Sequence, residues 1–288
     1  MKTAEPQYLA LLAKLVKQAK VSKSTQERTG TGMWCRFGDT IKFDTTNQQG
    51  QRTVPMFSSK HMSFDFVVAE LLWFLSGSTD VNDLPPKWQH LWRPWADADG
   101  SLGPTYGYQF RSGSDAFMTM LRGLLTHPES RRHVLALWAN ADVSQCKLPP
   151  CHGTVIQFHV DNGTLHMLTH QRSADIFLGV PYNLCSYTLL MHIVANALGL
   201  NSGRVIYHFG NLHLYANHLD AAKEQLSRAT AWASFTARPT YKVAMPPVLD
   251  MQQIRFEQFD LDNFRLVPAL FNLIAYSAGT KIPAPVAI

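Results

Sequence analysis

The stretch that most constrains how this chain can fold runs from Leu148 to Asn183. Two β-type runs, 154–160 and 164–170, are joined by Asp161-Asn162-Gly163, and Asn and Gly accept the positive φ angles that a tight hairpin turn demands. A hairpin here brings its outer ends together. One end carries Leu148-Pro149-Pro150-Cys151-His152 and the other Gln171-Arg172-Ser173-Ala174-Asp175, so the spacing predicts Cys151 beside Arg172. A guanidinium near a thiol favours the thiolate, which is the nucleophilic form of cysteine. Pro149 and Pro150 stiffen the backbone just before it. A free cysteine standing alone is more often a small buried hydrophobe, so the pattern makes Cys151 a candidate nucleophile that needs further support.

The rest of the chain limits what such a nucleophile could serve. With 288 residues, 46% of them hydrophobic, the chain can bury a sizeable core, and one domain spanning 1–288 is expected. The longest apolar stretch, 184–200, is interrupted by Ser186, His192 and Asn196 and reads as a core helix, so no membrane association is expected. Met1-Lys2-Thr3-Ala4-Glu5-Pro6 lacks the apolar centre of a signal peptide, which leads to the expectation of a cytoplasmic protein. Cys35, Cys146, Cys151 and Cys185 show no paired zinc spacing, so reduced thiols are expected. His208, His213 and His218 recur every five residues, which suits neither a helical ligand pair nor HExxH, and no metal is expected. The net charge of +5 and the pI near 9.0 suit an anionic partner. The basic residues form no dense run interleaved with aromatics, which disfavours nucleic acid and favours a phosphate monoester.

Hydrophobic periodicity predicts amphipathic helices over 8–19 and 117–125 and strand-like runs over 33–43, 133–138 and 204–209. The region 244–262 reads as mixed strand and loop. Ser63 is placed to cap a helix over 64–75 that ends at Ser76-Gly77. Glu70 lies inside that helix among Val67, Val68, Leu71, Leu72 and Trp73, where a carboxylate must find a partner or hold a proton.

The motifs Arg28-Thr29-Gly30-Thr31-Gly32, Glu70-Leu71-Leu72-Trp73-Phe74-Leu75, Leu102-Gly103-Pro104-Thr105-Tyr106-Gly107, Ser130-Arg131-Arg132, Pro150-Cys151-His152, Gln171-Arg172-Ser173-Ala174-Asp175, His213-Leu214-Tyr215 and Ala284-Pro285-Val286-Ala287-Ile288 follow one another along the chain. Together they resemble the thymidylate synthase family, in its order and over nearly the whole length. The resemblance implies an α+β fold, with a mixed β-sheet flanked by helices and a homodimer packed sheet to sheet. It implies dUMP and 5,10-methylenetetrahydrofolate as small-molecule substrates, with Cys151 adding to the pyrimidine, Glu70 as general acid/base, and Tyr106 near C5. Arg28, Arg172 and Ser173, with Arg131 and Arg132 from a partner subunit, would hold the phosphate. Arg172 would also serve the thiolate. Asn183 would read the base, and His213 and Tyr215 would meet the deoxyribose, since side chains two apart on an extended chain face the same way. Trp92, Asp175 and the tail residues Val286, Ala287 and Ile288 would form the folate side.

Three departures from the family pattern bear on the reaction: Arg93 and Asn211 each stand where an aspartate is usual, and one extra residue separates Cys151 from Gln157, suggesting a local bulge. They keep a dUMP hydroxymethylase, in which water replaces hydride, as an alternative to the synthase. A catalytically idle relative that binds RNA through its basic surface is the alternative from another class.

Overall fold

A computed structural model describes residues 1–26, 28–111, 115–234, 247–259, 264–274, 276 and 278–286. In chain order the elements are α1 (Ala4–Val21), β1 (Met33–Phe37), β2 (Thr40–Asp44), α2 (Phe64–Leu75), α3 (Pro86–Gln89), α4 (Tyr106–Arg111), α5 (Ala116–Thr126), β3 (Val134–Leu135), β4 (Val155–Asp161), β5 (Thr164–Asp175), α6 (Gly179–Ala197), β6 (Asn201–Tyr215), α7 (Leu219–Ser234), β7 (Val248–Met251) and β8 (Phe271–Ile274). This is a mixed α+β architecture. Its main sheet has the order β1-β6-β5-β4-β3, with β2 also paired to β6.

The hairpin forms as its turn residues dictate. Asn162 and Gly163 take φ values of 46° and 71°, and β4 pairs with β5 from Val155↔His170 to Asp161↔Thr164. The second strand is longer than its own alternation suggests, because β5 also runs parallel to β6 as far as Asp175↔His213. Parallel neighbours need a crossover, and α6 supplies it. That helix carries no charge and is buried nearly all round. Two of its polar interruptions find partners: His192 reaches Ser202 Oγ at 2.8 Å and the Thr53 carbonyl at 3.0 Å, and Asn196 Oδ1 accepts from the Ile254 amide at 2.8 Å. Among the described residues no helix is long and apolar enough to cross a membrane.

Two strand expectations change in detail. The run 33–43 divides into β1 and β2 at Gly38, whose φ of 84° turns the chain, and both pieces pair with β6. The run 133–138 yields only Val134 and Leu135, which pair with Gln157 and Ile156. In α2 the cap is as expected, with Ser63 Oγ accepting from the Phe66 amide at 3.3 Å. Of the region 244–262, residues 244–246 and 260–262 lie outside the described residues.

The parallel pair aligns residues from three strands into ranks. Cys35, His213 and Asp175 form one rank across β1, β6 and β5, and Phe37, Asn211 and Ser173 form the next. Chemistry-bearing residues therefore meet at one end of the sheet. Gly210 makes the close approach possible, since a Cβ there would sit 2.7 Å from the carbonyl oxygen of Arg172.

Candidate active site

Cys151 lies in an irregular segment between Pro150 and the start of β4, held against β5 by a hydrogen bond from the Ser173 amide to the Cys151 carbonyl at 3.4 Å. Its own amide donates to Tyr106 Oη at 2.9 Å, and the same hydroxyl lies 3.3 Å from Sγ. Because Tyr106 accepts from the amide, its hydrogen remains available to the sulfur. The ring is locked between Phe74, with centroids 4.6 Å apart, and His152, at 4.4 Å. Burial raises the Tyr106 phenol well above its ordinary value, so it stays protonated as a donor.

The direct partner of the thiol is thus Tyr106. Arg172, expected beside Cys151, donates from Nε to the Pro150 carbonyl at 2.8 Å and from NH2 to the Pro149 carbonyl at 3.0 Å, and lies over the Trp138 ring. It braces the loop that presents the cysteine and acts on the sulfur through its field. Burial raises the Cys151 thiol, the Tyr106 hydrogen bond and the Arg172 charge lower it, and the net direction is upward.

The bulge expected after Cys151 does not interrupt the ladder. The β4–β5 pairing is regular from Val155, and Gly153 adopts φ 60°, where a Cβ would lie 1.9 Å from Tyr187 Oη. That hydroxyl also meets His152 Nδ1 at 2.9 Å. Burial depresses His152 to about 3, so its imidazole is neutral.

Glu70 is buried in α2, where Oε1 accepts from Trp92 Nε1 at 2.8 Å. Burial raises its carboxyl to about 7, against the opposing effect of that hydrogen bond. Such a value suits proton transfer near neutrality. Trp92 is buried within an aromatic cluster with Trp73, Phe74, Trp95 and Tyr106. Arg93 is exposed and directs its guanidinium to Asn82 Oδ1 at 2.7 Å and Gln89 Oε1 at 3.4 Å.

Asn183, in the first turns of α6, accepts at Oδ1 from Gln171 Nε2 at 3.1 Å. On β6, His213 Nδ1 lies 3.1 Å from Asn211 Oδ1 and 3.3 Å from the Asn211 carbonyl, so Nδ1 carries the hydrogen and Asn211 retains an acceptor where an aspartate is usual. The His213 and Tyr215 rings meet edge to face at 4.9 Å. Asp175 accepts at Oδ1 from the amides of Phe177 and Leu178, at 2.9 and 3.2 Å. Burial would raise its carboxyl, but His218, His213 and the Leu178 amide outweigh it and hold it below the ordinary value. Its Oδ2 accepts no hydrogen bond from the described residues, leaving an ionised acceptor for a ligand's N–H groups.

The loop bearing Arg28 is tied beside Tyr215 by the hydrogen bond from the Ala216 amide to the Gly32 carbonyl at 2.9 Å. Arg28 is exposed, as are Arg131 and Arg132 just before β3. The guanidinium groups of these three form no hydrogen bond or ion pair among the described residues. The closing segment lies along the surface, with the Gly279 amide bonded to the Ser58 carbonyl, Ile282 buried and Val286 exposed. Ala287 and Ile288 fall outside the described residues.

Comparison with known families decides the identity: the thymidylate synthase family model matches residues 6–276. The chain belongs to the thymidylate synthase family. Its members are enzymes that act on dUMP with a folate co-substrate, and the free Asp175 oxygen fits a pterin, which presents N–H donors. Among the described residues no group of three or more histidine, cysteine, aspartate or glutamate side chains could hold a metal. Sequence reasoning missed Gln171 as the group orienting Asn183, Tyr187 as the partner of His152, and His218 as the partner of Asp175. Gln171 could have been found as a polar residue on the core-facing side of an alternating strand.

Proposed function

We propose that this enzyme methylates dUMP to dTMP with 5,10-methylenetetrahydrofolate. The observation that carries the reading is the convergence of a cysteine hydrogen-bonded by Tyr106 at 3.3 Å with a buried Glu70 whose carboxyl titrates at about 7. Cys151 Sγ adds to C6 of the pyrimidine, which makes C5 a carbon nucleophile. The folate supplies a one-carbon unit to C5 and then a hydride. Glu70 exchanges a proton on the O4 side, and Tyr106 stands near the C5 proton that must leave. Elimination of Sγ from C6 restores the ring and frees the enzyme. Arg28, Arg172 and Ser173 hold the phosphate, His213 and Tyr215 meet the deoxyribose, and Asn183 reads O4 and N3–H. Asp175 and Trp92 form the folate side, closed by Val286, Ala287 and Ile288.

The reading includes a homodimer. The sheet face opposite α6 carries Val134, Gln157, Leu168, Ile206 and Lys42 in one cross-strand rank and Val155, His170, His208 and Thr40 in the next, with Val134 and Val155 46% and 40% exposed. A second sheet covering this face, and with it the exposed Val134 and Val155, would bring Arg131 and Arg132 toward the partner's phosphate site.

The hydroxymethylase is the second reading, favoured by the turn at Gly153 next to the nucleophile, where the sequence suggests one residue more than the family pattern. Arg93 gives it little support, since its guanidinium is committed to Asn82 and Gln89. Release of tritium from [5-3H]dUMP, dependent on methylenetetrahydrofolate and lost in Cys151→Ser, tests the chemistry that both readings share. Absence of release from the wild-type protein would contradict them together.

A further inference from the structure

His218 follows β6 in a short 3-10 turn (Ala216–His218) and is fully buried. Its Nε2 lies 2.6 Å from the carbonyl oxygen of Pro285 in the closing segment. A carbonyl only accepts, so Nε2 must carry a hydrogen. Its Nδ1 lies 3.7 Å from Asp175 Oδ1 and has no hydrogen-bond partner. With one proton on the ring, the docked segment therefore leaves a nitrogen lone pair facing a carboxylate. The other neutral tautomer turns a lone pair on the Pro285 carbonyl instead. The imidazolium alone offers a hydrogen to both.

We propose that His218 is a positioning residue that takes up a proton when residues 279–286 dock, so that closure of this segment depends on an ionised Asp175 beneath it. Charged, titratable and aromatic groups face the ring and the carboxylate, the Tyr8 phenol near Asp175 among them. Asp175, at the end of β5, favours the added proton, and His213 faces that carboxylate from β6. Lys60, whose Nζ donates to the Phe177 carbonyl at 2.6 Å, opposes it. Tyr215 meets the ring edge to face, with Phe177 on another side. Burial lowers the His218 pKa, Asp175 and the Pro285 carbonyl raise it, and the balance lies above 6.5. A group whose pKa is raised in the closed state favours closure fully below its open-state pKa and loses that effect as pH rises through the closed-state value.

The role assigned to the segment rests on the proposed reaction, but the proton linkage can be read without turnover. Hydrogen exchange of the C-terminal peptide in the full chain, corrected for intrinsic rates, should show protection falling as pH rises above 6.5, by up to about tenfold per pH unit for a one-proton linkage. Ring NMR of His218 should give a midpoint in the same range. In His218→Gln, which can donate to Pro285 but cannot titrate, protection should be independent of pH, and KM for folate should lose its pH dependence while kcat changes less. Protection that is flat in the wild type, or that falls equally in His218→Gln, would overturn the linkage. An active enzyme with flat protection separates failure of this inference from failure of the proposed reaction.

Discussion

The side-chain amide of Gln171 fixes the side-chain amide of Asn183. Gln171 Nε2 donates to the Ser173 carbonyl at 3.0 Å and to Asn183 Oδ1 at 3.1 Å, and its Oε1 accepts from Tyr207 Oη at 2.9 Å. The Ser173 carbonyl settles which end of Gln171 is the amine, and this in turn orients Asn183 with Nδ2 turned away from Gln171. Nδ2 can then donate to O4 of uracil, while the second lone pair of Oδ1 accepts from N3–H. Cytosine reverses both polarities.

Asn183→Asp should therefore shift preference toward dCMP. The carboxylate keeps the Gln171 bond through Oδ1 and presents an oxygen that accepts from an exocyclic amine. The ratio of kcat/KM for dCMP over dUMP should rise about tenfold or more, the scale of one mispaired buried hydrogen bond. A wild-type preference for dCMP would refute the assignment of Asn183.

Cys151→Ser should lower turnover on the order of a thousandfold or more, since serine at neutral pH lacks a base here to activate it. The fold should survive, because the Cys151 amide bond to Tyr106 does not involve the sulfur. Steady-state rates and circular dichroism check the two halves.

Glu70 links activity to pH and stability. Its carboxyl stands at about 7 against an ordinary 4.5, so between those values the folded chain holds a proton that the unfolded chain has released. Folding stability from this group is greatest below pH 4.5 and falls as pH rises to 7, at a cost of up to about 3 kcal/mol. Glu70→Gln should melt higher than the wild type at pH 8 and lose that advantage at pH 5, while turnover falls about a hundredfold or more. Thermal melts at both pH values measure it.

Arg131 and Arg132 are exposed before β3, and their proposed role lies across a dimer. Mixing inactive Cys151→Ser with inactive Arg131→Ala subunits should restore activity, to about a quarter of wild type at equal amounts, because each hybrid retains one intact site. No recovery after verified exchange would count against shared sites.

Much of the frame was legible because local rules and tertiary demands agreed. Asn162-Gly163 turns the hairpin, Ser63 caps α2, and the uncharged run became α6. The strand lengths were less legible, since β5 and β6 are extended by pairing with each other, a long-range gain that local alternation does not record. In the site, motif residues could be named but their contacts could not. Arg172 was expected at the sulfur, yet its fixed guanidinium fork fits the Pro149 and Pro150 carbonyls, and Tyr106, from a helix 45 residues away in sequence, took the contact. His218 read only as one of three histidines spaced five apart, because its meaning depends on Asp175 and Pro285 arriving from distant parts of the chain.

In the proposed reaction hydride, and not water, completes the chemistry. The two outcomes differ in the folate product, since hydride transfer oxidises the carrier to dihydrofolate and hydration leaves tetrahydrofolate. The most direct measurement incubates the enzyme with dUMP and 5,10-methylenetetrahydrofolate, following dihydrofolate absorbance while the nucleotides are separated. The expected result is dihydrofolate rising in step with dTMP. Accumulation of 5-hydroxymethyl-dUMP without that rise would contradict the synthase reading and put the hydroxymethylase in its place.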